Sequence, residues 1–169
     1  MLILAGGLAT RMRPLTEKIP KSLLSVHERP FIAYQLKLLR SQGLTRVVIA
    51  TGYEGQQIEA VCGNGSQWGI DITYSYDGDT RLGTGGAVRK ALPLLSDPFV
   101  VIYGDSFLRV NYQPILEAFI TAQTVTPAPL AVMTVFRNQG LYDQSNVDFR
   151  DGRLLTYSKR QRSAAMDYI

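Results

Sequence analysis

Three glycine-bearing segments hold the residues of this chain best suited to chemistry on phosphate. The first runs Ala5-Gly6-Gly7-Leu8-Ala9-Thr10-Arg11 and continues to Lys21. Gly6 and Gly7 lack a Cβ, so the backbone there can approach a ligand closely, and the N–H groups of such a loop can form an anion nest. Arg11 brings a guanidinium fork and Lys21 a point charge, on a loop stiffened by Pro14 and Pro20. The second segment, Gly104-Asp105-Ser106, offers a carboxylate, the ligand type that a hard cation such as Mg2+ prefers. The third is Leu82-Gly83-Thr84-Gly85-Gly86, with Asp77 and Asp79 shortly before it. Taken singly, each has an ordinary reading: a glycine turn with two solvated cations, an aspartate that caps a helix or turn, a pair of turn aspartates. The first segment is not a Walker A loop, because the closing Gly-Lys-Ser/Thr is missing, and it contains no GxGxxG.

These segments need elements that bring them together. Leu2–Ala5 is a short apolar run that opens directly onto the first glycines. Residues 30–42 read as a helix with Phe31, Leu36 and Leu39 on its apolar side, Pro30 in the first turn and Gly43 as the stop. Arg46–Thr51 reads as a buried strand, Glu54–Cys62 as a helix ended by Gly63, and Ile70–Tyr76 as a strand with Ile70, Ile72, Tyr74 and Tyr76 on one face. A helical piece over 86–92 ends at Pro93, and Phe99–Tyr103 is a wholly apolar strand. Residues 114–122 predict a helix and residues 130–136 a further strand, joined by the polar, proline-containing stretch 121–129. Asn146–Phe149 and Arg153–Ser158 flank the turn Arg150-Asp151-Gly152 as a hairpin. Alternation of continuous apolar strands with helices predicts a mostly parallel sheet covered on both faces, an α/β three-layer fold of Rossmann type. Open parallel sheets bind ligands beyond the carboxyl ends of their strands, and all three glycine segments sit at such ends.

Composition removes other classes of function. With 169 residues, one domain is expected, and 46% hydrophobic content with 19% charge is too apolar for a disordered chain. A net charge of +4 is mildly basic and suits an anionic small molecule as well as a polyanion. Cys62 is the single cysteine and His27 the single histidine, which excludes an internal disulfide and Cys- or His-rich zinc sites. No apolar run approaches the roughly 18 residues of a membrane span. Met1–Ala5 has no basic segment before it and stops at Gly6-Gly7, unlike a signal peptide, so the expectation is a soluble cytoplasmic protein without a membrane partner.

Taken in order, the motifs resemble those of the sugar-1-phosphate nucleotidylyltransferase family. Its signature runs Gly-Gly-x-Gly-Thr-Arg-x-x-Pro-x-Thr, then Pro-Lys. Here it reads Gly6-Gly7-Leu8-Ala9-Thr10-Arg11-Met12-Arg13-Pro14-Leu15-Thr16, then Pro20-Lys21. Ala9 stands in place of the family's glycine, and a methyl fits there if the backbone keeps a negative φ. Residues 26–35 (VHERPFIAYQ), Gly52-Tyr53, Leu82-Gly83-Thr84-Gly85-Gly86-Ala87, Gly104-Asp105 and residues 146–159 (NVDFRDGRLLTYSK) resemble later family segments in the same order, so the likeness spans Met1 to Lys159. Ser145-Asn146-Val147 and the ending Met166-Asp167-Tyr168-Ile169 are most similar to heptose- or mannose-1-phosphate guanylyltransferase-like members.

The resemblance implies a reaction and roles. A nucleoside triphosphate and a sugar 1-phosphate would give an NDP-sugar and pyrophosphate, with positioning and charge neutralisation as the main catalytic devices. Arg11, Lys21 and Asp105 would be catalytic, with Asp105 holding Mg2+ as the cofactor. Ala5, Gly6, Gly7, Leu8, Ala9, Thr10, Gly83, Thr84 and Gly104 would line the nucleotide. The family reads the base edge with an acidic or amide side chain a few residues before the glycine matching Gly83; that place is Gly78, and one extra loop residue brings Asp77 into the role. A carboxylate acceptor there favours guanine, hence GTP. Asn146 and Lys159 would meet the sugar phosphate, although Ser158-Lys159-Arg160 replaces the family's Glu-Lys-Pro. His27, Trp68 and Cys62 are left as structural.

Family members are longer and supply a second metal aspartate and part of the sugar pocket further along. Ile169 reads as the middle of a strand, so residues 1–169 are expected to be a single nucleotidyltransferase domain incomplete at its C-terminal end, compatible with a homo-oligomer. If nothing follows Ile169, nucleotide binding with weak or absent turnover is expected. A binding or regulatory relative that has lost catalysis is the alternative, against which the full set Arg11, Lys21 and Asp105 argues. A nucleic-acid binder is not expected, because that would need a basic stripe with interleaved aromatics and only Lys159–Arg162 is densely basic.

Overall fold

The computed structural model describes every residue from Met1 to Ile169, and the chain packs as two compact units, Met1–Tyr112 and Gln113–Ile169. In the first unit the opening apolar run forms strand β1 (Leu2–Leu4). A short hairpin follows, β2 (Ser25–Val26) and β3 (Arg29–Pro30), joined by His27 and Glu28, both at positive φ. Helix α1 (Phe31–Ser41) starts directly after Pro30. It ends in a Schellman motif: Gly43, at φ 75°, donates to the Arg40 carbonyl, and Leu44 donates to that of Leu39. Strand β4 (Arg46–Thr51), helix α2 (Gly55–Cys62), strand β5 (Asp71–Tyr76), helix α3 (Gly83–Ala91) and strand β6 (Val101–Tyr103) complete the unit.

The four long-range strands pair in the order β5-β4-β1-β6, all parallel. Chain order reverses between β1 and β6, the switch point at which open α/β sheets open a crevice. Burial alternates as a two-sided sheet requires. Leu2, Val48 and Ala50 pack on one face against Ala87 and Ala91 of α3, while the intervening Ile3, Val47 and Ile49 are just as buried on the other. With α1 burying Ile32, Leu36 and Leu39 and α2 burying Ile58 and Cys62, the unit is the three-layer α/β fold that the sequence predicts.

The second unit holds helix α4 (Gln113–Ala122) and the hairpin β7 (Val147–Arg150) with β8 (Arg153–Tyr157). Asp151 and Gly152 both take positive φ, as a two-residue type I′ turn demands. One predicted strand is corrected here. Residues 130–136 form no ladder, and Leu130 is almost fully exposed. A strand needs a neighbouring backbone, and in this stretch only Phe136 finds one, exchanging bonds in both directions with Ile169. A second correction concerns 86–92: α3 begins at Gly83, so the glycines expected in a loop form its first turn. No helix is long and apolar enough to cross a membrane.

Candidate functional site

The sheet's carboxyl ends are held in line by bonds that carry each ladder one step past its strand. Ala5 N–H donates to the Ala50 carbonyl, Gly104 N–H to that of Leu4, and Asp77 N–H to that of Thr51, each at 2.8 Å. A side chain would be crowded at two tips. A Cβ on Gly104 would lie 3.0 Å from the Ala5 Cβ, and one on Gly52 would lie 2.9 Å from an Asp77 carboxylate oxygen. Over these tips lies a cleft of about 510 Å³, lined by residues 4–12, Lys21, Ser22, Asp77, Arg81, Gly83, Thr84, Ala87 and residues 103–105. The structure therefore brings together Ala5, Gly6, Gly7, Leu8, Ala9, Thr10, Arg11, Lys21, Asp77, Gly83, Thr84, Gly104 and Asp105, every site residue that the sequence places in the first unit.

The loop after β1 is a row of free donors. None of the amides from Gly6 through Arg11 donates to a protein group, and the first bonded one beyond them is Met12, which meets the Ala9 carbonyl at 2.9 Å. The buried Thr16 hydroxyl donates to the same carbonyl at 2.8 Å and fixes the loop's return. Its conformation corrects the expectation for Ala9, which takes φ 47° and ψ 41°, the left-handed region, rather than a negative φ. The loop turns at Ala9 in that geometry, and the alanine methyl bears its steric cost. The following segment is tied down by Tyr53 and Gln57, whose side chains donate to the carbonyls of Glu17 and Lys18.

On the β6 side, Lys21 Nζ donates to Asp105 Oδ2 at 2.9 Å, with the side chains 36% and 43% exposed. A half-exposed pair of this kind contributes about 0–1 kcal/mol to stability, so neither residue is needed to hold the fold. The Ser106 hydroxyl lies 3.5 Å from Asp105 Oδ1. Nowhere do three or more Asp, Glu, His or Cys side chains gather as a metal cluster. On the β5 side, the Leu82 amide lies 3.5 Å from Asp77 Oδ2, and Lys90 donates to the Asp77 carbonyl at 3.2 Å. Gly83 takes φ 67°, which favours glycine at the mouth of α3.

Two residues that bear on the cleft are missing from the sequence reading. Gln35 is 2% exposed on α1, and its Nε2 donates to the carbonyls of Tyr103 at 2.9 Å and Ser106 at 2.7 Å, bracketing Gly104-Asp105. A polar residue amid the buried positions of α1 was its only signal. Arg81, exposed on the cleft wall, was hidden in a turn. In the second unit, Asn146 is half-buried; its N–H donates to Tyr168 and its side-chain oxygen has no partner. Lys159 is exposed on the bend after β8.

Known proteins resemble this chain over most of its length. The family model described as Nucleotidyl transferase matches residues 1–138. The chain is 41% identical over 125 residues to N-acetylmuramate alpha-1-phosphate uridylyltransferase of Neisseria meningitidis, covering 73% of this chain and 53% of that protein. It is 32% identical over 160 residues to D-glycero-alpha-D-manno-heptose 1-phosphate guanylyltransferase of Aneurinibacillus thermoaerophilus, covering 94% and 66%. Among solved structures, HddC from Yersinia pseudotuberculosis complexed with GMP-PN superposes with a TM-score of 0.61 at 29% identity, covering 69% of this chain and 52% of that one. The chain thus spans about half to two-thirds of the length of these curated relatives.

Proposed function

Because this chain belongs to the nucleotidyl transferase family, we propose that its cleft binds a nucleoside triphosphate and takes part in joining it to a sugar 1-phosphate. One observation carries the reading: the amides of Gly6 through Arg11 have no partner in the protein, and these residues line one cleft with Lys21 and Asp105. A row of free N–H groups beside two cations is what a polyphosphate needs. In the reaction, an oxygen of the sugar phosphate forms a bond to the α-phosphorus, the α–β phosphoanhydride bond breaks, and pyrophosphate leaves with the electron pair. Arg11 grips triphosphate oxygens with its fork. Lys21 releases Asp105 and places its charge beside the phosphate. Asn146 and Lys159 are the candidates for the sugar phosphate.

Asp105 fits a magnesium ion of the substrate-borne kind. It is a single exposed carboxylate, and Mg2+ is commonly held by one or two carboxylates with phosphates and water supplying the rest. When bound, the ion would neutralise phosphate charge and orient the α-phosphate.

GTP is the proposed donor, since the Asp77 carboxylate in the cleft can accept from the N1–H and N2–H2 of guanine. The guanylyltransferase name of the Aneurinibacillus relative and the GMP-PN bound to HddC support it. UTP is the second reading, favoured by the uridylyltransferase name of the 41%-identical relative. The test is a matrix of the four NTPs against several sugar 1-phosphates with Mg2+, reading both nucleotide binding and pyrophosphate release. The reading expects GTP to bind with the highest affinity and any pyrophosphate release to depend on a sugar 1-phosphate. Absence of binding by every triphosphate would refute it.

A further inference from the structure

We propose that Arg81 is a specificity-determining residue that reads the Hoogsteen edge of guanine, while the Asp77 carboxylate reads its N1 and N2 donors. The inference rests on the reading of the cleft as a nucleoside triphosphate site. Three cationic side chains line that cleft, Arg11, Lys21 and Arg81. Lys21 is fixed to the β6 side by its 2.9 Å pair with Asp105, and Arg11 belongs to the amide-rich loop after β1. Arg81 follows β5, the edge strand at the other end of the sheet from β6, four residues after Asp77 and next to Leu82, Gly83 and Thr84 at the start of α3. The other two cations follow β1 or pair on the β6 side, whereas the site's other base-reading candidate shares its segment after β5.

Its state fits a ligand role. The three ion pairs of the molecule do not include Arg81, and its guanidinium makes no hydrogen bond to the protein. Asp77, by contrast, is held in place. Its carboxylate lies against the backbone of Gly6 and Gly52 and near the Leu82 amide, and its carbonyl accepts from Lys90. The short segment 77–81 therefore presents a fixed acceptor and a free two-pronged donor on one wall.

Base chemistry selects among the nucleotides. Guanine has donors at N1 and N2 and acceptors at O6 and N7, and an arginine fork matches O6 and N7. Asp77 and Arg81 together satisfy both pairs. Adenine presents an amino group where guanine has O6, so it meets the fork with a donor. Uracil can offer Asp77 its N3–H and Arg81 its O4, but it has no N7, so the fork is half used.

The experiment measures binding of GTP, 7-deaza-GTP, ITP and UTP to the full chain and to Arg81→Met, with urea unfolding as the control for this exposed substitution. The unaltered chain is expected to bind GTP about five-fold more tightly than 7-deaza-GTP, which lacks only N7. Arg81→Met is expected to bring that ratio to one while keeping the preference for GTP over ITP, which depends on the N2 amino group facing Asp77. Equal weakening of GTP, UTP and 7-deaza-GTP by Arg81→Met would make Arg81 a phosphate contact and overturn the proposal. A 7-deaza ratio unchanged by the substitution, or a ratio of one in the unaltered chain, would also overturn it. If the unaltered chain binds none of the four nucleotides, the cleft reading itself fails.

Discussion

Replacing Gln35 by methionine tests how the carboxyl end of β6 is held. The substitution conserves length and approximate volume, so it opens little cavity. It removes two hydrogen bonds, to Tyr103 at 2.9 Å and Ser106 at 2.7 Å. At about 1 kcal/mol net for each bond the loss is roughly 2 kcal/mol. Two features of the structure lower that figure. The Tyr103 carbonyl keeps a second donor, the Ser106 amide at 3.2 Å, so only the Ser106 carbonyl loses its side-chain donor without such a replacement. The Gln35 Oε1 is itself buried without a partner, and methionine removes that unsatisfied acceptor. The balance is a destabilisation of roughly 1–2 kcal/mol. Urea unfolding followed by circular dichroism reads it as a lower midpoint at unchanged slope. Release of the Gly104-Asp105 turn also moves Asp105 out of register with Lys21, so GTP affinity falls in the folded variant. A midpoint shift worth less than about 0.5 kcal/mol, with GTP affinity intact, would refute the reasoning.

Three further outcomes follow from the geometry. Ala9→Gly relieves a left-handed alanine whose cost is about 1–2 kcal/mol, partly offset by the greater freedom of glycine in the unfolded chain; calorimetry is expected to show Tm rising by about 1–4 °C, and a fall would contradict the role given to φ at Ala9. Arg11→Ala and Asp105→Ala are expected to leave the unfolding midpoint nearly unchanged, while Arg11→Ala weakens GTP binding roughly ten- to 150-fold through loss of a charged hydrogen bond; near-normal binding and turnover by either variant would remove that residue from the site. Burial pushes the Cys62 thiol up to about 11, so the folded chain keeps a proton that the unfolded chain gives up near pH 8.5. Stability from this source is complete below that pH and is lost as pH rises toward 11, and a thiol reagent at pH 8 is expected to label Cys62 only after unfolding; rapid labelling of the native chain would contradict its burial.

What sequence could reveal divides along physical lines. β4 matches its predicted bounds because RVVIAT is a continuous buried run, and α1 was legible from Pro30 at one end and Gly43 at the other. The Asp151-Gly152 turn carries its own conformational signal. Residues 130–136 failed because apolar content predicts burial, whereas a strand also requires a partner backbone. Gly83–Gly86 misled because glycine reads as loop, yet the turn entering α3 needs the positive φ of Gly83 and close packing at Gly86, where a Cβ would lie 2.8 Å from the Leu82 Cβ. The cleft residues of the first unit were legible because each follows a strand or opens a helix, and parallel strands bring their ends together. Gln35 and Arg81 were not, since one acts through carbonyls distant in sequence and the other is an ordinary charge in a turn until the fold places it on a wall.

In the proposed function a triphosphate lies on the unbonded amides after β1, between Arg11 and the Lys21–Asp105 pair. Backbone amide NMR of the chain titrated with GTP and Mg2+ tests it most directly. The largest shifts are expected on Gly6 through Arg11, with Gly83 and Gly104 following, while α2 stays unmoved. Saturation with GTP that leaves the Gly6–Arg11 amides in place, or shifts them less than those of α2, would contradict it.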